Sequence, residues 1–126
     1  MSHSKFFSST EKYCREFYVY LNLQKYNSPY VPRLIGFNHE HRVLYMEKYE
    51  IDLFYKITNN DTGGYNDLNV FPLKNRINIA VKILKAVAFF HECGIVHGDI
   101  KPENILIRED ESVSLVDFGL SFHIGK

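Results

Sequence analysis

The sequence contains 126 residues, of which 45% are hydrophobic and 24% are charged, and its 15 lysines and arginines balance its 15 aspartates and glutamates. This composition is typical of a soluble globular protein, and a chain of this length can bury one hydrophobic core but not two. Zero net charge argues against a nucleic-acid partner or an anionic membrane surface, and no uninterrupted apolar stretch exceeds five residues, whereas a membrane-spanning helix needs about 20.

The first predicted element is a helix over residues 9–26. Ser8, followed three residues later by Glu11, has the pattern of a capping box, and apolar side chains then recur at helical spacing. Two short apolar runs, 33–37 and 43–46, flank a polar turn and predict a hairpin of two strands. The chain begins with polar residues rather than the apolar block of a secretory signal, so we expect a cytoplasmic protein, with the nucleus as the alternative.

The second half of the chain predicts a long helix followed by short strands. Residues 47–57 are mixed and favour a short helix, whereas 58–69 are polar and predict an exposed loop. Apolar residues repeat at helical spacing over 77–91, and Gly94 is expected to end this helix as a left-handed cap. Three strand-like pieces follow it: 95–97, 104–107 and 113–116. The predicted fold class is therefore α+β.

Polar side chains with the chemistry of phosphoryl transfer follow two of these strands. The sequence HGDIKPEN occupies 97–104, and DFG occupies 117–119. A carboxylate such as that of Asp99 can accept a proton from a hydroxyl, and the side-chain oxygens of Asn104 and Asp117 are hard ligands that suit Mg²⁺. Phosphoryl transfer needs positioning and charge neutralisation more than covalent help from the protein, so a base, a cation and metal ligands suffice.

These two motifs resemble the catalytic loop and the metal-binding motif of the protein kinase family. The resemblance implies that Asp99 is the catalytic base and that Lys101 contacts the transferred phosphate. It also implies that Asn104 and Asp117 each hold a Mg²⁺ ion beside ATP. A lysine two residues after the aspartate resembles the serine/threonine branch, whose substrates are proteins.

The resemblance extends upstream of the catalytic loop and implies further nucleotide-binding groups. The first helix is similar to the regulatory helix of kinases, with Glu16 as the acidic residue in its middle. The partner of Glu16 would be a strand lysine before the helix, and Lys5 has the required apolar neighbours. Glu47, Lys48 and Tyr49 resemble the hinge, whose backbone groups would bind adenine.

On this resemblance the chain is one partial kinase-like domain. Residues 1–46 would be the remnant of the N-terminal lobe, 47–50 the hinge, and 51–126 the start of the C-terminal lobe. The family's glycine-rich loop would precede Lys5 by about twenty residues, so we expect none in this sequence, and the chain ends seven residues after Gly119. We expect weak or no catalysis from the isolated chain.

Three explanations of these limits stay open. The chain is a fragment of a longer kinase, a truncated mimic that binds a partner kinase, or a minimal domain that dimerises through an uncovered apolar face; a fragment is the favoured one. A small-molecule phosphotransferase is a further alternative because such enzymes share HGD, but Lys101 and the DFG sequence favour a protein substrate.

Gly98 stands where many kinases carry an arginine that pairs with a phosphorylated activation loop, so we expect that mode of control to be absent; a glycine here also suits a positive φ. Cys14 and Cys93 are far apart in sequence and have no metal-ligand partners nearby, so both are expected to be reduced thiols.

Overall fold

A computed structural model of the chain describes residues 2–47, 51–53, 55, 73–108 and 110–124. Within these residues the fold is α+β, as predicted, with two long helices and eight short strands. The helices are α1 (Thr10–Gln24) and α2 (Leu73–Glu92). The strands are β1 (Ser2–Phe6), β2 (Leu34–Asn38), β3 (Val43–Glu47), β4 (Ile51–Asp52), β5 (Ile95–Val96), β6 (Ile105–Ile107), β7 (Val113–Leu115) and β8 (Phe122–His123).

The N-terminal sheet positions the first site residue. Its strand order is β1-β3-β2 and both pairings are antiparallel, so the predicted hairpin of β2 and β3 gains a third strand. Lys5 lies on β1 opposite Leu44 of β3. Helix α1 contributes its buried side to the core with this sheet. The buried α1 residues are Tyr13, Glu16, Phe17, Val19, Tyr20 and Leu23.

Helix α1 begins one residue later than the predicted capping box implies. The backbone of Ser9 is extended, and its hydroxyl accepts a hydrogen bond from the Lys12 N–H at 3.1 Å, so Ser9 is the N-cap. The prediction of a Ser8–Glu11 capping box is wrong, because Glu11 instead faces Arg15 at 3.4 Å. Adjacent hydroxyl residues all have the chemistry of a cap, and backbone conformation selects among them.

Helix α2 is apolar on two sides. Ile79, Ala86 and Phe90 are buried, whereas Ile77, Val81 and Leu84, together with Leu73, are exposed large side chains on the opposite face. The expectation of an uncovered apolar face is therefore confirmed for the described residues. The predicted left-handed cap is also present: Gly94 has a φ of 78° and its N–H donates to the His91 carbonyl at 3.0 Å.

Two small sheets carry the remaining strands. One has the order β4-β6-β7, and the other pairs β5 with β8, a strand that the sequence did not predict. Residues 51–52 form strand β4, whereas Leu53 and Tyr55 are helical. Among the described residues, the short helix predicted within 47–57 therefore occurs only after β4. The predicted loop at 58–69 lies outside the described residues. In the described part of the chain, neither helix combines the length and the apolar character needed to cross a membrane.

Candidate active site

An ion pair joins strand β1 to helix α1. The Lys5 ammonium lies 3.0 and 3.1 Å from the two oxygens of the Glu16 carboxylate, whose side chain is 3% exposed. The same ammonium lies 3.7 Å from Asp117 Oδ1. Burial raises the pKa of Glu16 and the positive charge of Lys5 opposes the rise without cancelling it. The structure thus brings three predicted site residues, Lys5, Glu16 and Asp117, into one cluster.

A second cluster contains the predicted catalytic residues. The Asn104 side-chain amide donates to the Asp99 carbonyl at 3.0 Å and to Asp99 Oδ2 at 3.2 Å. Lys101 Nζ lies 3.7 Å from the same Oδ2 atom. Asn104 is buried at the end of a 3₁₀ turn, Pro102–Asn104, so its amide fixes the carboxylate of Asp99 from the protein side.

His97 connects this second cluster to the chain leading into Asp117. Its Nδ1 atom accepts a hydrogen bond from the Asp99 N–H at 3.1 Å, so Nε2 carries the proton and donates to the Val116 carbonyl at 2.7 Å. Burial lowers the pKa of His97, which favours this neutral ring. The Val116 N–H donates to the Asn104 carbonyl at 3.0 Å. The two clusters therefore lie on directly bonded segments.

Residues 117–119 adopt a conformation that the surrounding side chains hold in place. Asp117 has a φ of 64°, which is uncommon for a residue with a side chain. Its N–H donates to the Tyr20 hydroxyl at 3.3 Å, and the Phe118 N–H donates to Glu16 Oε1 at 3.3 Å. The Phe118 ring is fully buried. It packs edge-on against three rings, those of Tyr20, Phe90 and His97.

Sequence reasoning missed Tyr20 as a site residue. Its hydroxyl and its ring both contact the segment 117–118. A signal was present, because Tyr20 follows Glu16 by four residues and therefore lies on the same face of α1.

The family assignment follows from comparison with known proteins. A family model of the protein kinase domain matches residues 1–126, which is the whole chain. The chain belongs to the protein kinase family. The geometry of this kinase-family chain agrees with the assignment, since the HGDIKPEN and DFG motifs lie on segments that hydrogen-bond to each other.

Similar proteins carry kinase names and are much longer than this chain. A serine/threonine-protein kinase-like protein of Arabidopsis thaliana is 35% identical over 102 residues, which are 77% of this chain and 28% of that protein. A receptor-like serine/threonine-protein kinase, also of Arabidopsis thaliana, is 34% identical over 117 residues, 85% of this chain and 16% of that protein. Myosin light chain kinase A of Dictyostelium discoideum is 38% identical over 78 residues, 60% of this chain and 24% of that protein. The chain spans less than a third of each relative.

Protein kinases generally use ATP and Mg²⁺, and the donor atoms of this kinase-family site suit a magnesium ion. Among the described residues, Asn104 Oδ1 and Asp117 Oδ2 take part in no hydrogen bond or ion pair. The described residues contain no group of three or more His, Cys, Asp or Glu side chains arranged to hold a metal. Mg²⁺ commonly takes one or two protein oxygens and completes its shell with phosphate and water, so this small donor set fits it.

The predicted hinge is described only at its first residue, since Lys48 and Tyr49 lie outside the described residues. The Glu47 carboxylate accepts from Arg108 Nη2 at 2.8 Å and from the Arg33 N–H at 2.9 Å. Arg108 also donates to the Pro29 carbonyl at 3.0 Å. The side chain of Glu47 thus ties β3 to the turn between β6 and β7, and an adenine-binding role for residues 47–49 stays a prediction.

The hydrogen bonds accepted by the Glu47 carboxylate predict that the protein loses stability in acid. Burial alone would raise the pKa of Glu47, but the hydrogen bonds from Arg108 and from the Arg33 N–H outweigh it, so the pKa is lowered. A lowered carboxyl pKa stabilises the fold above the ordinary value of about 4.3, and this contribution is lost as the pH falls through the lowered pKa. We expect Glu47→Gln to lower the free energy of unfolding by about 1–2 kcal/mol at pH 7 and by much less at pH 3.

Urea unfolding of both proteins at the two pH values measures this difference. Glu40→Gln is the control, because Glu40 lies in an exposed turn and forms no ion pair with the described residues. A Glu47→Gln deficit that is equally large at pH 3 and at pH 7 would show that the charge of Glu47 contributes nothing.

Proposed function

We propose that this chain carries the nucleotide-binding, metal-binding and proton-accepting groups of a serine/threonine protein kinase, which transfers the γ-phosphate of ATP to a hydroxyl of a protein substrate. The observation that carries the proposal is the pairing of two clusters. Lys5, Glu16 and Asp117 form one, Asp99, Lys101 and Asn104 form the other, and His97 and Val116 join them. The whole-chain match to the protein kinase family and the names of the relatives support the same activity.

Each group has a role that its surroundings favour. Lys5 is held by a buried carboxylate, so its ammonium is fixed beside Asp117 and can bind a phosphate oxygen. Asp117 and Asn104 would hold Mg²⁺, which when bound neutralises phosphate charge. Asp99 is oriented by the Asn104 amide and would accept the hydroxyl proton as the hydroxyl oxygen bonds to the γ-phosphorus and the bond to the β-phosphate oxygen breaks.

Lys101 adds a positive charge beside the Asp99 oxygen that Asn104 also contacts. Its Nζ atom is 3.7 Å from Asp99 Oδ2, and about half of its side chain is exposed. An exposed ammonium at this place can contact the transferred phosphate while the carboxylate accepts the proton. A protein hydroxyl is the proposed acceptor because Lys101, two residues after Asp99, resembles the serine/threonine branch. Lys101 together with the DFG sequence also favours a protein substrate over a small molecule.

Separate variants test metal binding and proton transfer. We expect Asp117→Asn to abolish Mg²⁺-dependent binding of a fluorescent ATP analogue, because it removes the metal carboxylate. Asp99→Asn should leave that binding nearly intact while slowing transfer of labelled phosphate to a basic protein by about 10²–10⁴-fold, which is the range for losing a general base. Asp110→Asn, in an exposed turn, is the matched control.

Two results would overturn the proposal. The first is a wild-type chain that binds no nucleotide at millimolar Mg²⁺ although its unfolding is cooperative. The second is an Asp117→Asn variant whose Mg²⁺-dependent binding equals that of wild type, since the metal would then be held elsewhere.

A further inference from the structure

Arg15 contacts the DFG segment from the exposed side of helix α1. Its Nη1 atom donates to the Gly119 carbonyl at 2.8 Å, and its Nη2 atom lies 3.4 Å from Glu11 Oε1 on the preceding turn. The Arg15 side chain is 41% exposed and that of Glu11 is 85% exposed. Neither contact belongs to the Lys5–Glu16–Asp117 cluster.

Helix α1 holds residues 117–119 through three side chains. The Tyr20 hydroxyl accepts from the Asp117 N–H, Glu16 accepts from the Phe118 N–H, and Arg15 donates to the Gly119 carbonyl. The first two contacts lie in the protein interior, whereas the third lies at its surface. Each of the three residues 117–119 is therefore hydrogen-bonded to a side chain of helix α1.

These three hydrogen bonds matter because Asp117 is held in an unfavourable backbone conformation. A positive φ in a residue with a side chain persists only when the surrounding structure determines it. The Gly119 N–H donates to Asp117 Oδ1 at 3.2 Å, so the position of Gly119 also orients the carboxylate. A hydrogen bond from a charged guanidinium is stronger than one between neutral groups. Arg15 donates such a bond to Gly119, the last residue of this turn.

We infer that Arg15 is a positioning residue for the proposed metal-binding carboxylate of Asp117: by binding the Gly119 carbonyl, it keeps that carboxylate turned toward Lys5. The inference rests on the proposed function for its consequence, since the orientation of Asp117 matters only if Asp117 binds a metal. Arg15 lies 104 positions from Gly119 along the chain, so this contact is made only by the folded protein.

The first test measures amide hydrogen exchange without nucleotide. We expect Arg15→Ala to raise the exchange rates of the Phe118, Gly119 and Ser121 amides about 5–10-fold, because each of these N–H groups bonds within or next to the turn that Arg15 holds. Lys12→Ala is the matched control, since Lys12 is an exposed cation on the same helix and only its backbone N–H is used. The control should leave these rates unchanged.

A helix-stabilising role for Arg15 predicts a different pattern. In that case Glu11→Gln, which removes only the pair within the helix, would reproduce the effect of Arg15→Ala, and exchange would rise along α1 instead of at 118–121. That pattern would overturn the inference. Arg15→Lys keeps a charged donor and should restore most of the protection at Gly119.

The second test measures the Mg²⁺ concentration at half-saturation of ATP-analogue binding. We expect Arg15→Ala to raise it about 5–10-fold at unchanged thermal stability, with Lys12→Ala matching wild type. If wild type binds no nucleotide, the proposed function fails and the exchange experiment alone decides whether Arg15 positions the turn. If wild type binds and Arg15→Ala has the same Mg²⁺ midpoint, Arg15 does not position the metal carboxylate.

Discussion

Replacing Phe118 by alanine is expected to lower the free energy of unfolding by about 3–5 kcal/mol, which is the usual cost of removing a large side chain from a packed core. The Phe118 ring is fully buried, and its centroid lies 5.1 Å from that of Tyr20, 5.4 Å from that of Phe90 and 4.9 Å from that of His97. These partners come from α1, from α2 and from the loop after β5. Removing the ring would therefore leave a cavity where all three elements meet.

The same substitution should impair the proposed metal site. Phe118 follows Asp117 directly, and the burial of its ring opposes relaxation of the positive φ at Asp117. Urea unfolding measures the stability change, and Phe122→Ala is the control because Phe122 is 54% exposed. We expect a cost below about 1 kcal/mol for the control. Equal losses in the two variants would show that the Phe118 ring does not hold the elements together.

Sequence alone predicted those parts of the site that depend on neighbouring residues. Asp99, Lys101 and Asn104 lie within six consecutive positions, and a single turn brings them into contact. Helix α1 was predicted because its apolar residues repeat with one clear period. The ion pair between Lys5 and Glu16 was expected from the family resemblance, and the structure contains it.

Contacts between distant residues could not be predicted in this way. Arg15 and Gly119 are 104 positions apart, and Glu47 and Arg108 are 61 positions apart. Strand β8 has only two residues, both exposed, so it has no alternation of apolar and polar side chains to detect. The sequence of α2 is apolar on two sides, and only packing determines that Phe90 is buried while Leu84 is exposed.

Gly98 has the positive φ that the sequence analysis expected for it. Its φ is 84°, and a Cβ atom added there would overlap the Leu120 carbonyl oxygen. A glycine is therefore required by the backbone conformation and by the close approach of the chain after the DFG motif. An arginine at position 98, as in many kinases, would not fit with the Leu120 carbonyl in this place.

Gly98→Ala is accordingly expected to lower the free energy of unfolding by about 2–4 kcal/mol, from the left-handed conformation and the overlap together. The overlap is with a main-chain oxygen, and β5 and β8 pair just beyond it, with Val96 opposite Phe122, so moving the Leu120 carbonyl would strain that pairing. Gly36→Ala is the matched control, because a Cβ at Gly36 would approach only Tyr45 Cδ2 at an ordinary 3.9 Å. Urea unfolding of both variants measures the difference. A Gly98→Ala protein as stable as Gly36→Ala would contradict both the left-handed conformation of Gly98 and the close approach of the Leu120 carbonyl, since either of them makes a methyl group at position 98 costly.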